Sequence, residues 1–108
     1  MIHATDRNPF VTARLYVMST LGGGYSHWKL SGYRAHWFFR DSEGVDTGHD
    51  GAVLLPEGQR LEPGESRDAT ICPFAPHFWE DLKEGDVIEM WDSHTVGVAT
   101  IIEPLVTP

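Results

Sequence analysis

Cations are scarce in this chain, cysteine is almost absent and long apolar runs are missing, and each shortage removes a class of function. Eight Lys and Arg stand against sixteen Asp and Glu over 108 residues, a formal charge of -8. Such a balance repels phosphate backbones unless the cations gather on one face. They do not gather along the sequence: Arg7, Arg14, Lys29, Arg34, Arg40, Arg60, Arg67 and Lys83 are spread from end to end. The single Cys72 can form no internal disulfide, and the start MIHATDRNPF has neither a basic region nor an apolar one of the secretory kind. The cytoplasm is the expected compartment. No uninterrupted run of about eighteen apolar residues exists to span a bilayer, so a soluble protein without membrane partners is expected.

Catalytic and metal-binding signatures are missing as well. Gly22-Gly23-Gly24 is not followed by Gly-Lys-Ser/Thr and opens no helical pattern, so it reads as a turn and not as a phosphate loop. Cys72 lies in an apolar strand, where a thiol behaves as a small hydrophobe, and no CxxC accompanies it. The six histidines show no HExxH or HxH spacing. His49 with Asp46 and Asp50, or Asp92 with His94, supplies two or three donors of the right type, but a solvated polar loop explains both clusters more simply. Ser26 and His27 lie in nothing that resembles a nucleophile elbow. No cofactor is expected, and enzyme readings are disfavoured.

What the chain does have is strand signal. Ala13 to Ser19 and Tyr33 to Arg40 are rich in β-branched and aromatic residues and are expected to form an antiparallel pair across the glycine run. A polar loop from Asp41 to Gly51 follows, then a short strand AVLLP closed by Glu57-Gly58, a turn at Pro63-Gly64, and a strand from Arg67 to Cys72. DVIEMW and HTVGVATII alternate apolar and polar residues on either side of a hairpin at Asp92-Ser93. Six strands result, and only Phe78 to Glu84 has the makings of a helical turn, ended by Gly85. Short strands at regular spacing imply a closed barrel or a sandwich in one domain. Its core spans about 13–103, with an N-terminal arm over 1–12.

Within this frame YRAHWFFR stands out, with five rings in eight residues bracketed by Arg34 and Arg40. Strand alternation puts Tyr33, Ala35, Trp37 and Phe39 on one face, and Arg34, His36, Phe38 and Arg40 on the other. One face is expected in the core and the other half-covered by a loop, with FAPHFWEDL, which carries Phe78 and Trp79, as the candidate cover. Aromatic and arginine residues are also the types that dominate interface hot spots. Trp28, in the loop HWKLSG, is the best candidate for an exposed anchor.

The order LYVMS, GGG, SGYRAHWFFR, GAVLLPEG, LEPGES and HTVGVATII resembles the C-terminal β-barrel, domain three, of elongation factor Tu, over about Arg14 to Ile102. The resemblance rests on five segments in register: Gly32-Tyr33-Arg34, the aromatic strand that ends in Arg40, Leu55-Pro56-Glu57-Gly58, Pro63-Gly64, and Thr95-Val96-Gly97. It implies an all-β fold, a six-stranded antiparallel closed barrel with YRAHWFFR as a central strand. In the elongation factor this barrel touches the T-stem of aminoacyl-tRNA, holds the nucleotide exchange factor and packs on the GTPase domain. The present chain has no GTPase domain and no phosphate loop, so GTP binding is not expected of it. Tyr25-Ser26 stands where the family carries Arg-His, Ala35 and His36 replace a Pro-Gln pair, and Asp92-Ser93-His94 replaces a glycine-rich hairpin with an arginine. The longer Asp41 to Asp50 connection adds Asp46 and Asp50. These changes remove donors or add acids where RNA contacts are expected.

The reading that follows is a noncatalytic barrel, free-standing as a single domain, that binds a protein through Tyr25, Trp28, Arg34, His36, Trp37 and His94, in an immunity- or antitoxin-like role. The alternatives are translation-associated binding of tRNA or ribosomal RNA, which requires the cations to converge in space, and a small-molecule or catalytic site built on His36 or the Asp46, His49 and Asp50 loop.

Overall fold

The computed structural model describes residues 8–18, 29–30 and 32–107. The strands are β1 (Phe10–Val17), β2 (Lys29–Leu30), β3 (Tyr33–Arg40), β4 (Asp46–Leu54), β5 (Arg60–Leu61), β6 (Ser66–Pro73), β7 (Val87–Trp91) and β8 (Thr95–Val106). Six of them close a barrel in the order β1-β6-β4-β3-β7-β8, and every pairing in it is antiparallel. The short β2 and β5 form a separate two-stranded ribbon. Closure resolves the choice between barrel and sandwich.

Strand alternation decides what lies inside. Val11, Ala13, Leu15 and Val17 of β1, Ala35, Trp37 and Phe39 of β3, Ile88 and Met90 of β7, and Ala99 and Ile101 of β8 all enter one hydrophobic cluster. Trp37 is its largest wholly buried side chain together with Trp79, and its indole N–H donates to the Gly51 carbonyl at 3.1 Å. That bond satisfies the one polar atom Trp37 brings inside, which would otherwise cost about 1–3 kcal/mol.

Four expectations are corrected. β1 does not pair with β3: its neighbours are β6 and β8, because closing the barrel brings the first and last strands together. It also begins at Phe10, inside the anticipated arm, where Phe10 faces Val106. The polar segment from Asp41 to Gly51 is mostly strand, with β4 pairing along the full length of β3 from Arg40↔Asp46 to Tyr33↔Val53. The helical turn is a 3-10 turn at Pro76–Trp79, with the proline in its first turn, and not at Phe78 to Glu84.

The strand glycines explain why β4 reads as a loop. A Cβ at Gly51 would stand 2.9 Å from Ile71 Cγ2 and 3.3 Å from the Trp37 indole, and a Cβ at Gly48 would collide with the His36 ring. Both glycines are places where a ring from β3 lies across β4, the close approach that an in-strand glycine permits. At the β7–β8 hairpin Ser93 takes φ 67 and the register shifts after Met90, the pattern of a three-residue loop whose αL residue adjoins a bulge.

Two substitutions should move stability in opposite directions. Gly51→Ala is expected to lower it by about 1–3 kcal/mol through overpacking on Ile71 and Trp37. Ser93→Gly is expected to raise it by about 0.5 kcal/mol by relieving the αL backbone of a residue with a Cβ. Urea unfolding midpoints of the two variants beside the wild type check both signs.

Candidate functional site

The side chains that β3 turns outward are Arg34, His36, Phe38 and Arg40, and register sets carboxylates beside His36 and Arg40, with Asp50 two positions from the residue opposite Arg34. His36 lies between Asp50 of β4 and Trp91 of β7, Phe38 between Gly48 and Glu89, and Arg40 opposite Asp46. Asp50 is the hub. Its Oδ1 lies 2.7 Å from His36 Nδ1, and its Oδ2 accepts from the Arg34 guanidinium through Nε at 3.0 Å and through Nη2. Hydrogen bonds from His36 and then Arg34 hold the Asp50 carboxyl below its ordinary range, against the smaller opposing effect of burial. The same arginine lies over the Phe74 ring, 4.7 Å from its centroid. Phe38 stacks with Trp91 at 5.9 Å and 29°.

The result is a strip of aromatic rings set among fixed charges across the outer wall of β4, β3 and β7. Phe74, Val87 and Trp91 are 44%, 56% and 38% exposed, while Phe38 is half-buried between them and the strand. Beyond Phe38 the wall dips into a groove of about 320 Å³ lined by Phe38, Arg40, Asp46, Asp86, Val87 and Glu89, with the buried Phe39 and Leu82 contributing. Arg40 is held bidentately there by Asp46, at 3.0 and 3.1 Å.

A second polar cluster closes one end of the barrel and has a different character. Asp41 is the one buried charged residue among those described, and its Oδ1 accepts the backbone N–H groups of Glu43 at 2.9 Å and Val45 at 3.1 Å. Its Oδ2 lies 3.0 Å from His49 Nε2. The His49 ring stacks on Phe78 at 4.5 Å and 20° and touches Phe39, which in turn meets Trp79 edge to face at 4.9 Å. This pairing orders the β3–β4 turn and docks the 3-10 turn on it. The Asp41–His49 pair thus ties the turn, β4 and the 3-10 turn together.

The expected site residues separate. Arg34 and His36 share the outer wall. Trp37 does not join them: one residue from His36 in a strand, it points the opposite way and is wholly buried, so a partner cannot touch it. His94 sits in the β7–β8 hairpin, where its carbonyl accepts the Asp92 N–H at 2.9 Å. Tyr25 and Trp28 lie outside the described residues, as do the glycine run, Ser26 and His27. The FAPHFWEDL segment plugs the barrel end through Phe78 and Trp79 instead of covering the outer wall, with Phe74 alone reaching it. His49 points inward while Asp46 and Asp50 point outward, which dissolves the imagined ligand set. Among the described residues no three His, Cys, Asp or Glu gather as metal ligands. Cys72 is buried, and burial pushes its thiol up, away from the thiolate. Phe38, Phe74, Val87 and Trp91 are the additions, and Asp50, expected only as a metal or catalytic donor beside Asp46 and His49, becomes the hub of the outer wall. Phe38 had the same parity as His36, but Asp50 becomes visible only once β4 is known to start at Asp46.

The Asp41 cluster makes stability depend on acid. Burial pushes the Asp41 carboxyl up, but the N–H donors of Val45 and Glu43 and the His49 ring outweigh it, leaving the carboxyl below its ordinary value. A depressed carboxylate stabilises the fold above its unfolded value of about 4, and that contribution disappears as pH falls through the lower folded value. Asp41→Asn should therefore be less stable than wild type at neutral pH and lose less on acidification. Urea midpoints at pH 7 and in steps below pH 4 check the convergence of the two curves.

A scan against protein-family models finds no match for this chain, and a search of curated proteins finds none either.

Proposed function

We propose that the chain is a noncatalytic binding barrel, of the kind implied by its resemblance to domain three of elongation factor Tu, and that it grips a protein partner through the outer wall of β4, β3 and β7. The observation that carries this reading is the strip itself. Phe74, Phe38 and Trp91 are partly exposed rings, and the arginine among them is already oriented by Asp50. Rigid aromatic and arginine anchors that need little ordering on contact are the features of interface hot spots.

Charge supports a protein over a nucleic acid. All five arginines among the described residues are paired with a carboxylate of the same chain: Arg14 with Asp68, Arg34 with Asp50, Arg40 with Asp46, Arg60 with Glu62 and Arg67 with Glu65. A phosphate would have to displace these carboxylates, so little of the counterion release that drives nucleic-acid binding would be gained. An acidic module of this size suits an immunity- or antitoxin-like role against a basic protein.

A photo-cross-linking phenylalanine analogue at position 91, compared with one at position 59 on another part of the surface, tests the assignment in lysate of the native cell. The expected result is a protein adduct at 91 that survives nuclease, is absent at 59, and is lost when Arg34→Glu is added to a barrel that circular dichroism shows to be intact. An RNA adduct at 91 that nuclease removes overturns the reading in favour of tRNA or ribosomal RNA.

A further inference from the structure

The groove at the Phe38 end of the strip has a composition unlike the rest of the wall. Asp46, Asp86 and Glu89 stand around Phe38 and Val87, and the one cation there, Arg40, is held by both oxygens of Asp46. Asp86 and Glu89 have no ion-pair partner among the described residues. Their contacts are neutral donors: the Lys83 backbone N–H on Asp86 Oδ2 and the Thr95 hydroxyl on Glu89 Oε1, both at 2.8 Å. A carboxylate offers about four lone-pair sites, so each keeps further acceptor positions while a hydrogen bond fixes its orientation. Phe38 lines the groove beside Glu89, and its stack with Trp91, which is partly open to solvent and stands outside the groove on the His36 side, extends the aromatic surface.

Carboxylates held next to an aromatic stack are the two halves of guanidinium recognition. The planar cation lies on a ring and its forked N–H donors reach carboxylate oxygens, a geometry an ammonium group matches less well. We infer that the groove seats an arginine-bearing basic segment of the protein partner, one arginine packed on Phe38, at the edge of the stack with Trp91, with its guanidinium directed to the groove carboxylates Glu89 and Asp86, and an aliphatic neighbour against Val87. This inference rests on the protein-binding reading and specifies the partner's chemistry. The chain's net charge of -8 favours the same occupant by steering a basic segment toward it. A second copy of the chain is a poor occupant, because the arginines described in it are already neutralised by their own carboxylates.

The probe is a fluorescein-labelled nonapeptide of alternating arginine and leucine, followed by anisotropy and amide-resolved NMR, beside versions carrying lysine or glutamate in place of arginine. The arginine peptide should bind and shift the resonances of Phe38, Val87, Glu89 and the Trp91 indole. The lysine peptide should bind several-fold more weakly and the glutamate peptide not at all. Asp86→Asn combined with Glu89→Gln keeps one oxygen acceptor at each position while removing the charge and should weaken the arginine peptide about tenfold, whereas Glu57→Gln should leave it unchanged. Equal weakening by Glu57→Gln would show that only bulk charge is sensed and would overturn the proposal, as would shifts that avoid the groove. If the groove fails in this way while the adduct at position 91 remains a nuclease-resistant protein, the inference falls and the protein-binding reading stands. Loss of that adduct as well removes both.

Discussion

The pairing of β3 with β4 depends on two rings that cross from one strand to the other on opposite sides of the wall. Inside, Trp37 lies against Gly51 and donates to its carbonyl; outside, the His36 ring lies over Gly48 and reaches Asp50. Any other register would bring a Cβ under one of these rings or exchange the inner and outer faces altogether. Because the register is fixed, Arg34 finds Asp50 and Arg40 finds Asp46 without further adjustment. The core tryptophan and the outer charges are thus two readouts of one alignment.

Electrostatics on the surface follow the same economy of cations. Each arginine described is taken up by a nearby carboxylate, and the acids left over set the character of the molecule. Exposed pairs of this kind add little to stability, a median of about 0–1 kcal/mol each. Their effect is on the surface presented: paired arginines make it weakly charged, while acids with no ion-pair partner among the described residues, such as Asp86 and Glu89, make it negative. The outer wall therefore changes from mixed and aromatic near Phe74 to acidic near Val87 over the width of three strands.

Much of this was legible in the sequence, and the failures have physical reasons. Five of the barrel strands, the bounds of β3 and the AVLLP end of β4 could be read because β-branched, aromatic and other apolar residues cluster there and alternate. The rest of β4 could not, since Asp46, Gly48, Asp50 and Gly51 carry turn chemistry whose purpose is visible only with the neighbouring rings in place. Pairing partners depend on closure, a property of the whole chain, so adjacency in sequence misplaced β1 beside β3. Parity correctly separated Arg34 and His36 from Trp37, but parity alone does not say which face is inside. Asp41 and His49 looked like separate loop residues because eight positions of strand and turn must fold back before they meet.

Closure of the wall also limits how this molecule can evolve. In the barrel every strand has a neighbour on both sides for at least part of its length, so the paired stretches offer no edge to an incoming strand, and among the described residues the short β2–β5 ribbon lies outside that closure. Contact through the wall must be made by side chains whose own backbone is committed elsewhere. Outward residues of β3 and β7 can then be exchanged one at a time, altering the surface chemistry while the inward half of each strand keeps the same fold. Such a wall separates the inheritance of architecture from the inheritance of surface, residue by alternate residue.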